Sequence, residues 1–154
     1  MTIRELQPDD MPVLRNWLSK GYIRDYFGEP DIWLQEINLN LCDSSWIHYY
    51  IAEEMIPIGF FQYYDTDKAP IGEWSNEPTG TAGIDFLIGE ESFLNKGYGV
   101  ELLKIIIDEI KLKGYYKFII ADPDLRNAAS VKVLEKCGFK LAINGLYKLR
   151  IDDI

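Results

Sequence analysis

The segment Leu94-Asn95-Lys96-Gly97-Tyr98-Gly99-Val100 runs directly into an amphipathic stretch from Glu101 to Lys113. Its two glycines let the backbone turn tightly and direct several amide NH groups the same way. The dipole of the helix that follows favours an anion at this end. The segment therefore predicts a cradle for the phosphates of a diphosphate-bearing ligand, although this glycine spacing is also typical of an ordinary turn before a helix.

The composition predicts one acidic globular domain over residues 1–154. The chain has 154 residues, of which 47% are hydrophobic and 14% aromatic, enough for one core and too few for two domains. Sixteen basic and 25 acidic residues give a formal charge of -9. This charge argues against nucleic acid or an anionic membrane as a partner, because both need a positive face. It favours a cationic partner, or serves solubility alone.

The cysteines and the pattern of apolar residues restrict the expected cellular location and the expected cofactors. Cys42 and Cys137 lie far apart without metal-ligand spacing, so neither a metal site nor a disulfide framework is expected. The sequence shows no secretory leader and no run of about 18 apolar residues. We expect a cytoplasmic protein, either a monomer or a homodimer.

Hydrophobic periodicity predicts an α/β fold with helices on the faces of a mixed sheet. The expected strands are 2–6, 46–52, 56–64, 81–88, 115–121, 139–143 and 146–151. The expected helices are 11–18, 30–41, 97–113 and 127–136. The passage through Gly97 is expected to be a right-handed parallel crossover. Residues 65–80, broken by proline and glycine, are expected to form a mobile surface loop.

Two aspartates stand out within apolar surroundings. Asp85 interrupts a strand of isoleucine, phenylalanine and leucine, where a buried carboxylate is costly unless a cation meets it. It is therefore a candidate functional acid, or else a solvated strand position. Asp122 follows the apolar run 118–121 at the end of a parallel strand, where α/β sheets bind ligands. The alternative for Asp122 is a simple Asp-Pro turn.

The element order, with Lys96-Gly97-Tyr98-Gly99 opening the central helix and Asn127 beginning the last, resembles the GNAT superfamily of acyl-CoA N-acyltransferases. Segments 50–52, 56–60, 83–85 and 121–123 are similar to aminoglycoside 6'-N-acetyltransferases, and siderophore acetyltransferases come next. The resemblance covers essentially the whole chain. It implies a mixed, mostly antiparallel sheet of about seven strands with about four helices on its faces.

The resemblance implies acetyl-CoA as co-substrate and no metal. Backbone NH groups of the glycine segment would hold the pyrophosphate, Asn127 would contact the pantetheine arm or cap its helix, and amides just after Asp85 would face the acetyl carbonyl. Leu94 departs from the glutamine or arginine usual at that position. The residues expected to contact acetyl-CoA are Asn95, Lys96, Gly97, Tyr98, Gly99, Val100 and Asn127, with Phe86, Leu87 and Ile88 at the acetyl end.

The resemblance also implies an acceptor cleft. Asp85 would bind and deprotonate the attacking ammonium, directly or through water, and Asp122 would anchor further amines of the substrate. Aromatic and acidic side chains are expected to wall the cleft, namely Tyr26, Phe27, Tyr50, Trp74, Asp65 and Glu77. The aromatic residues Trp17, Trp33 and Phe60 are assigned to the core instead, and the lone His48 is expected to be structural.

Three functions follow from this resemblance. The leading one is acetylation of the 6'-amine of aminoglycosides, and thereby antibiotic resistance. The second is acetylation of an amine or hydroxylamine of a siderophore precursor, which residues 123–127 favour, whereas Asp85 stands where siderophore relatives tend to have histidine. The third is a non-catalytic acyl-CoA-binding module. Its support is Leu134, which replaces the tyrosine that protonates the thiolate in many GNAT enzymes, so the general acid is not apparent.

Overall fold

A computed structural model of the chain describes residues 1–41, 44–70 and 76–153. The strands are β1 Thr2–Glu5, β2 Ile47–Glu54, β3 Ile56–Asp65, β4 Thr81–Ile88, β5 Phe118–Ala121, β6 Lys140–Leu141 and β7 Tyr147–Arg150. The α-helices are α1 Met11–Ser19, α2 Gly21–Phe27, α3 Pro30–Asn40, α4 Tyr98–Leu112 and α5 Ala128–Lys136. Short 3-10 turns occupy Pro8–Asp10, Glu91–Phe93 and Ile151–Asp153.

The strands form one sheet in the order β1-β2-β3-β4-β5-β7-β6. Only the β4–β5 pair is parallel among the described ladders, and α4 makes the crossover between these two strands. The predicted mixed, mostly antiparallel sheet of seven strands is confirmed. The helix count is corrected from four to five, because the seven residues of α2 are too few to show a helical repeat in sequence.

Helices cover both faces of this sheet. The apolar face of α4 packs with α5 against one face, and the buried side chains of α4 are Leu102, Leu103, Ile106, Ile107 and Ile110. The first three α-helices bury Leu14, Trp17 and Leu34 against the other face. Trp17 and Phe60 are fully buried, as expected for core residues.

The segment 65–80 differs in part from the predicted surface loop. Its first residues, Asp65 and Thr66, are 4% and 5% exposed, and a turn follows in which the amide of Ala69 donates to the carbonyl of Asp65 at 3.0 Å. Residues 71–75 lie outside the described part of the chain, as does Cys42.

The sheet opens between β4 and β5. Their ladder runs from Thr81 opposite Phe118 to Ile84 opposite Ala121, where the pairing in the described structure ends. Strand β4 continues along β3 as far as Ile88, whereas β5 stops before Pro123, which has no NH to donate to a ladder. The two strands thus separate at the residues that follow the last pair, Asp85 and Asp122.

Candidate active site

Two adjoining cavities lie at this opening. The larger has a volume of about 440 Å³ and extends from the end of β4 to the start of α4 and one side of α5. The smaller, of about 160 Å³, lies over the β4–β5 split. Four residues line both cavities, namely Phe27, Phe86, Asn127 and Ser130. A molecule in one cavity would therefore border a molecule in the other.

The glycine segment forms one end of the larger cavity. Asn95 and Gly97 have positive φ angles of 58° and 86°, and α4 begins at the next residue, Tyr98. The first NH groups of a helix have no partner within it, so this end of α4 offers donors to an anion. Lys96 is exposed and is not part of the cavity lining. The lining from this segment consists of Leu94, Asn95, Gly97, Tyr98, Gly99 and Val100.

Gly99 has a packing role that the glycine spacing alone did not indicate. A Cβ at this position would lie 3.2 Å from Cγ2 of Val133 on α5. The glycine therefore lets the first turn of α4 approach α5 closely, and this contact brings the two helices to the same cavity.

Two lysines on α5 were not predicted as part of the site. Lys132 and Lys136 are one helical turn apart and both line the larger cavity with the glycine segment. Their spacing of four residues places them on one helix face, a signal present in the sequence. Which way that face points depends on the packing of α5 against α4, so sequence alone did not assign them to the cavity.

Helix α2 fixes the end of β4. The Tyr22 hydroxyl donates to the carbonyls of Ile88 and Gly89, both at 3.0 Å, and Lys20 Nζ donates to Gly89 at 2.8 Å. Burial, with nearby glutamates, raises the pKa of Tyr22 to about 12, so its hydroxyl remains a donor. Phe86, Leu87 and Ile88 line the larger cavity, and the bonds from Lys20 and Tyr22 hold the backbone at the end of this segment.

Asp85 and Asp122 meet in the smaller cavity. Asp85 as a whole residue is partly exposed, and its Oδ2 accepts a hydrogen bond of 2.8 Å from Nε2 of the buried Gln62 on β3. Burial raises the pKa of Asp85 to about 7, and repulsion from Asp122 and Glu36 adds to this rise, whereas the Gln62 bond opposes it. A carboxyl group with this pKa changes protonation near neutral pH. The effects of Gln62 and Glu36 on Asp85 were not predicted from the sequence.

Aromatic rings from α2 and α3 form the wall of the smaller cavity. Tyr26 and Phe27 lie there as expected. Trp33, which was assigned to the core, packs against the core as a partly buried side chain and also lines this cavity, so the assignment to the core alone was incomplete. Its ring lies 5.2 Å from that of Phe27, and its Nε1 donates to the Phe27 carbonyl at 2.8 Å. The bond and the ring contact fix the position of Trp33 beside Phe27.

Other expected wall residues lie elsewhere. Tyr50 stacks at 4.8 Å on Phe61 under α4, donates to Glu109 at 3.3 Å and lines neither cavity, because its position on β2 faces the α4 side of the sheet. The structure thus removes Tyr50 from the cleft. Asp65 lines a separate cavity beside His48, and Glu77 pairs with Lys148 at 3.3 Å. Trp74 lies outside the described residues.

The last helix contributes to both cavities. Asn127 caps α5 by accepting a 3.2 Å hydrogen bond from the amide of Ser130, and it also lines both cavities, so the two roles proposed for it are compatible. Leu134 is fully buried and lines the smaller cavity one turn beyond Ser130. Ser130 is the one hydroxyl-bearing residue among the four that line both cavities.

The described residues contain no group of three or more His, Cys, Asp or Glu side chains that could hold a metal ion. Nor does any helix in these residues have the length and apolar character needed to cross a membrane.

Comparison with known proteins shows which family has this arrangement. The family described as "Acetyltransferase (GNAT) domain" matches residues 7–144. An aminoglycoside N(6')-acetyltransferase type 1 of Klebsiella pneumoniae is 27% identical over 148 residues, which cover 91% of this chain and 74% of the relative. The crystal structure of aminoglycoside acetyltransferase AAC(6')-Ib with coenzyme A is 26% identical, with a TM-score of 0.82 over 97% of this chain and 94% of that one.

The complex of AAC(6')-Ib with coenzyme A and kanamycin gives a TM-score of 0.81 at 25% identity, over 97% of this chain and 94% of that chain. These similarities confirm the predicted resemblance and the fold. Since the family match covers well over half of the sequence, the chain belongs to the GNAT family of acetyltransferases.

Proposed function

We propose that this protein transfers the acetyl group of acetyl-CoA to a primary amine of a polycationic small molecule, most closely the 6'-amine of an aminoglycoside. The observation that carries the proposal is the meeting of the two cavities beside Asp85. One cavity offers helix amides and lysines to a diphosphate, and the other offers carboxylates and rings to an amine. The larger cavity has the dimensions of a cofactor site.

The residues of the larger cavity fit acetyl-CoA. The amides of Tyr98, Gly99 and Val100 suit the pyrophosphate, and Lys132 and Lys136 supply the positive charge that an acidic protein needs to hold an anion. Asn127 and Phe86 line both cavities, where the pantetheine arm would lead to the thioester. Amides of β4 beyond Asp85 are the proposed donors to the oxyanion.

Asp85 suits the role of base. With a pKa of about 7 it accepts a proton from an ammonium group more readily than an ordinary carboxylate does. The freed amine nitrogen then bonds to the thioester carbonyl carbon, the carbon–sulfur bond breaks, and the electron pair leaves with sulfur. The nitrogen loses a second proton, and the thiolate gains one. Ser130 is the proposed route for that last proton, in place of the tyrosine that Leu134 replaces.

The acceptor assignment is supported by the relatives. The similar Klebsiella pneumoniae protein is an aminoglycoside N(6')-acetyltransferase, and the similar solved complex holds kanamycin. The carboxylates and rings of the smaller cavity suit such a polycation. A role in resistance, a cytoplasmic location, a single domain over 1–154 and the choice between monomer and homodimer stay predictions.

The test is a thiol-release assay with acetyl-CoA and kanamycin-type acceptors. We expect turnover with acceptors that carry a 6'-amine and none at that position when a hydroxyl replaces it. Asp85→Asn should lower kcat by about 10²–10⁴-fold without weakening coenzyme A binding, and Ser130→Ala should lower kcat less. Tight coenzyme A binding without turnover of any amine in a broad panel would overturn the proposal and favour a non-catalytic binding module.

A further inference from the structure

A third carboxylate faces the smaller cavity, but an arginine of the same loop engages it. Asp124 is part of the lining. Its Oδ1 accepts hydrogen bonds of 3.0 Å from both Nε and the backbone amide of Arg126, and its Oδ2 accepts one of 2.6 Å from a terminal guanidinium nitrogen. The contact is bidentate, the strongest form of an arginine–carboxylate pair. Both oxygens of Asp124 therefore already accept hydrogen bonds from Arg126 before any acceptor arrives.

The same guanidinium reaches the opposite element of the cavity rim. Arg126 lies 6.0 Å from the centre of the Tyr26 ring on α2, within range of a cation–π contact. Tyr26 and Asp124 both line the cavity, one from α2 and the other from the loop after β5. Arg126 itself is 76% exposed and lies outside the lining. It thus connects the two rims from the solvent side.

The pair also changes the charge that an acceptor meets. The Arg126 hydrogen bonds lower the pKa of Asp124 to about 2, so this carboxylate stays ionised under all working conditions. Its charge is balanced by the guanidinium rather than offered to a substrate. An incoming polycation therefore has to compete with Arg126 for Asp124.

We propose that Arg126 determines acceptor specificity: by occupying Asp124 it limits how many ammonium groups the smaller cavity binds, and it disfavours the most highly charged amines. The kinetic test of this inference rests on the proposed acetyltransferase function. Its physical basis is competition between two cations, one tethered and one free, for the same carboxylate. Removal of the tethered cation should make Asp124 a third anchor.

Kinetics of Arg126→Gln test this with a series of aminoglycosides that share the 6'-amine ring and differ in their number of ammonium groups. We expect KM to fall about two- to fivefold for the most charged member, the size typical of one exposed ion pair, with a smaller change for the least charged and with kcat unchanged. The control is Arg15→Gln, which removes the same charge from the exposed Arg15–Asp31 pair of 2.8 Å. That variant should leave the KM values as they are.

A double-variant comparison isolates the mechanism. If Arg126 acts by blocking Asp124, then Arg126→Gln should have no effect on KM in an Asp124→Asn background. An equal effect in both backgrounds, an unchanged KM series in Arg126→Gln, or the same change in Arg15→Gln would overturn the inference.

Calorimetric binding of the same aminoglycosides, with coenzyme A present, separates this inference from the proposed function. Absence of turnover in the unaltered protein overturns the proposed function only. The inference then stands if Arg126→Gln binds the most charged aminoglycoside more tightly than the unaltered protein does. It falls if the two proteins bind equally or if neither binds.

Discussion

At the residue scale, the hydrogen bond between Gln62 and Asp85 shows how the pairing of two strands affects the proposed catalytic base. Asp85 was predictable because a carboxylate in an apolar strand demands an explanation. Gln62 was not, because it lies 23 positions away and meets Asp85 only through the β3–β4 register. The register places a neutral donor against the proposed base, and a neutral donor does not force it to stay ionised, as an arginine would.

Replacement of Gln62 by leucine should shift the pH dependence of kcat/KM. A hydrogen bond donated to a carboxylate favours its ionised form, so loss of the bond raises the pKa of Asp85 above its value of about 7. Because the base has to be ionised, the rising limb of the profile should move to higher pH. The measurement is kcat/KM for the acceptor on both sides of neutral pH, with acetyl-CoA saturating.

The acceptor ammonium also titrates, and two variants separate it from Asp85. Asp85→Asn should lose the inflection near neutral pH and retain only the contribution of the acceptor. Thr66→Val, which removes a different buried hydrogen bond, of 3.0 Å to the Thr81 carbonyl, should leave the inflection in place. An inflection at the same pH in Gln62→Leu and in the unaltered protein would contradict the assignment of Asp85 as base.

At the scale of secondary-structure elements, the turn into α4 should contribute separately to the stability of the fold and to coenzyme A binding. Gly97→Ala and Gly145→Ala form a matched pair, since their φ angles are 86° and 87° and an added Cβ meets no atom within 4 Å at either. Each change should cost roughly 1–2 kcal/mol of unfolding free energy, because a side chain is strained at such angles. Only Gly97→Ala should weaken coenzyme A binding, since only Gly97 sets the direction of the α4 amides.

Denaturant unfolding gives the first quantity for both variants, and calorimetric titration with coenzyme A gives the second. Equal losses of affinity in the two variants would show that the glycine acts through general stability. An unchanged affinity in Gly97→Ala would remove the phosphate-cradle role from this turn.

Element existence was predictable from sequence more reliably than element orientation. Strand β4 was predicted with its observed bounds, since its apolar run is long and bounded by turns. Helix α2 was missed because it is too short for a periodic pattern. Tyr50 was expected in the cleft and lies in the core, because strand alternation says which residues share a face and not what that face meets. Trp33 was expected in the core; it packs against the core and also lines the cavity, because helical spacing likewise does not say what a helix face meets. The lysines of α5 were missed for the same reason.

At the scale of the whole molecule, the charge distribution favours different ligands in the two cavities. The net charge of -9 attracts a polycation to the carboxylates of the smaller cavity, while Lys132 and Lys136 provide local positive charge for an anion in the larger one. A polycation in solution is thus attracted by the negative charge of the whole protein. Coenzyme A is an anion, so the net charge repels it and only the nearby lysines and helix amides attract it.

Salt should therefore weaken acceptor binding selectively. At 0.1 M ionic strength charges are screened beyond about 10 Å, so the long-range attraction of a polycation is lost while contacts inside the cavity persist. We expect KM for an aminoglycoside to rise steeply with salt at nearly constant kcat, and KM for a small zwitterionic amine to change little. The measurement is KM at several concentrations of two different simple salts, with acetyl-CoA saturating, so that effects of one particular ion are recognised. An equal salt dependence for both acceptors would contradict a site built for polycations and would return the siderophore-type acceptor to consideration.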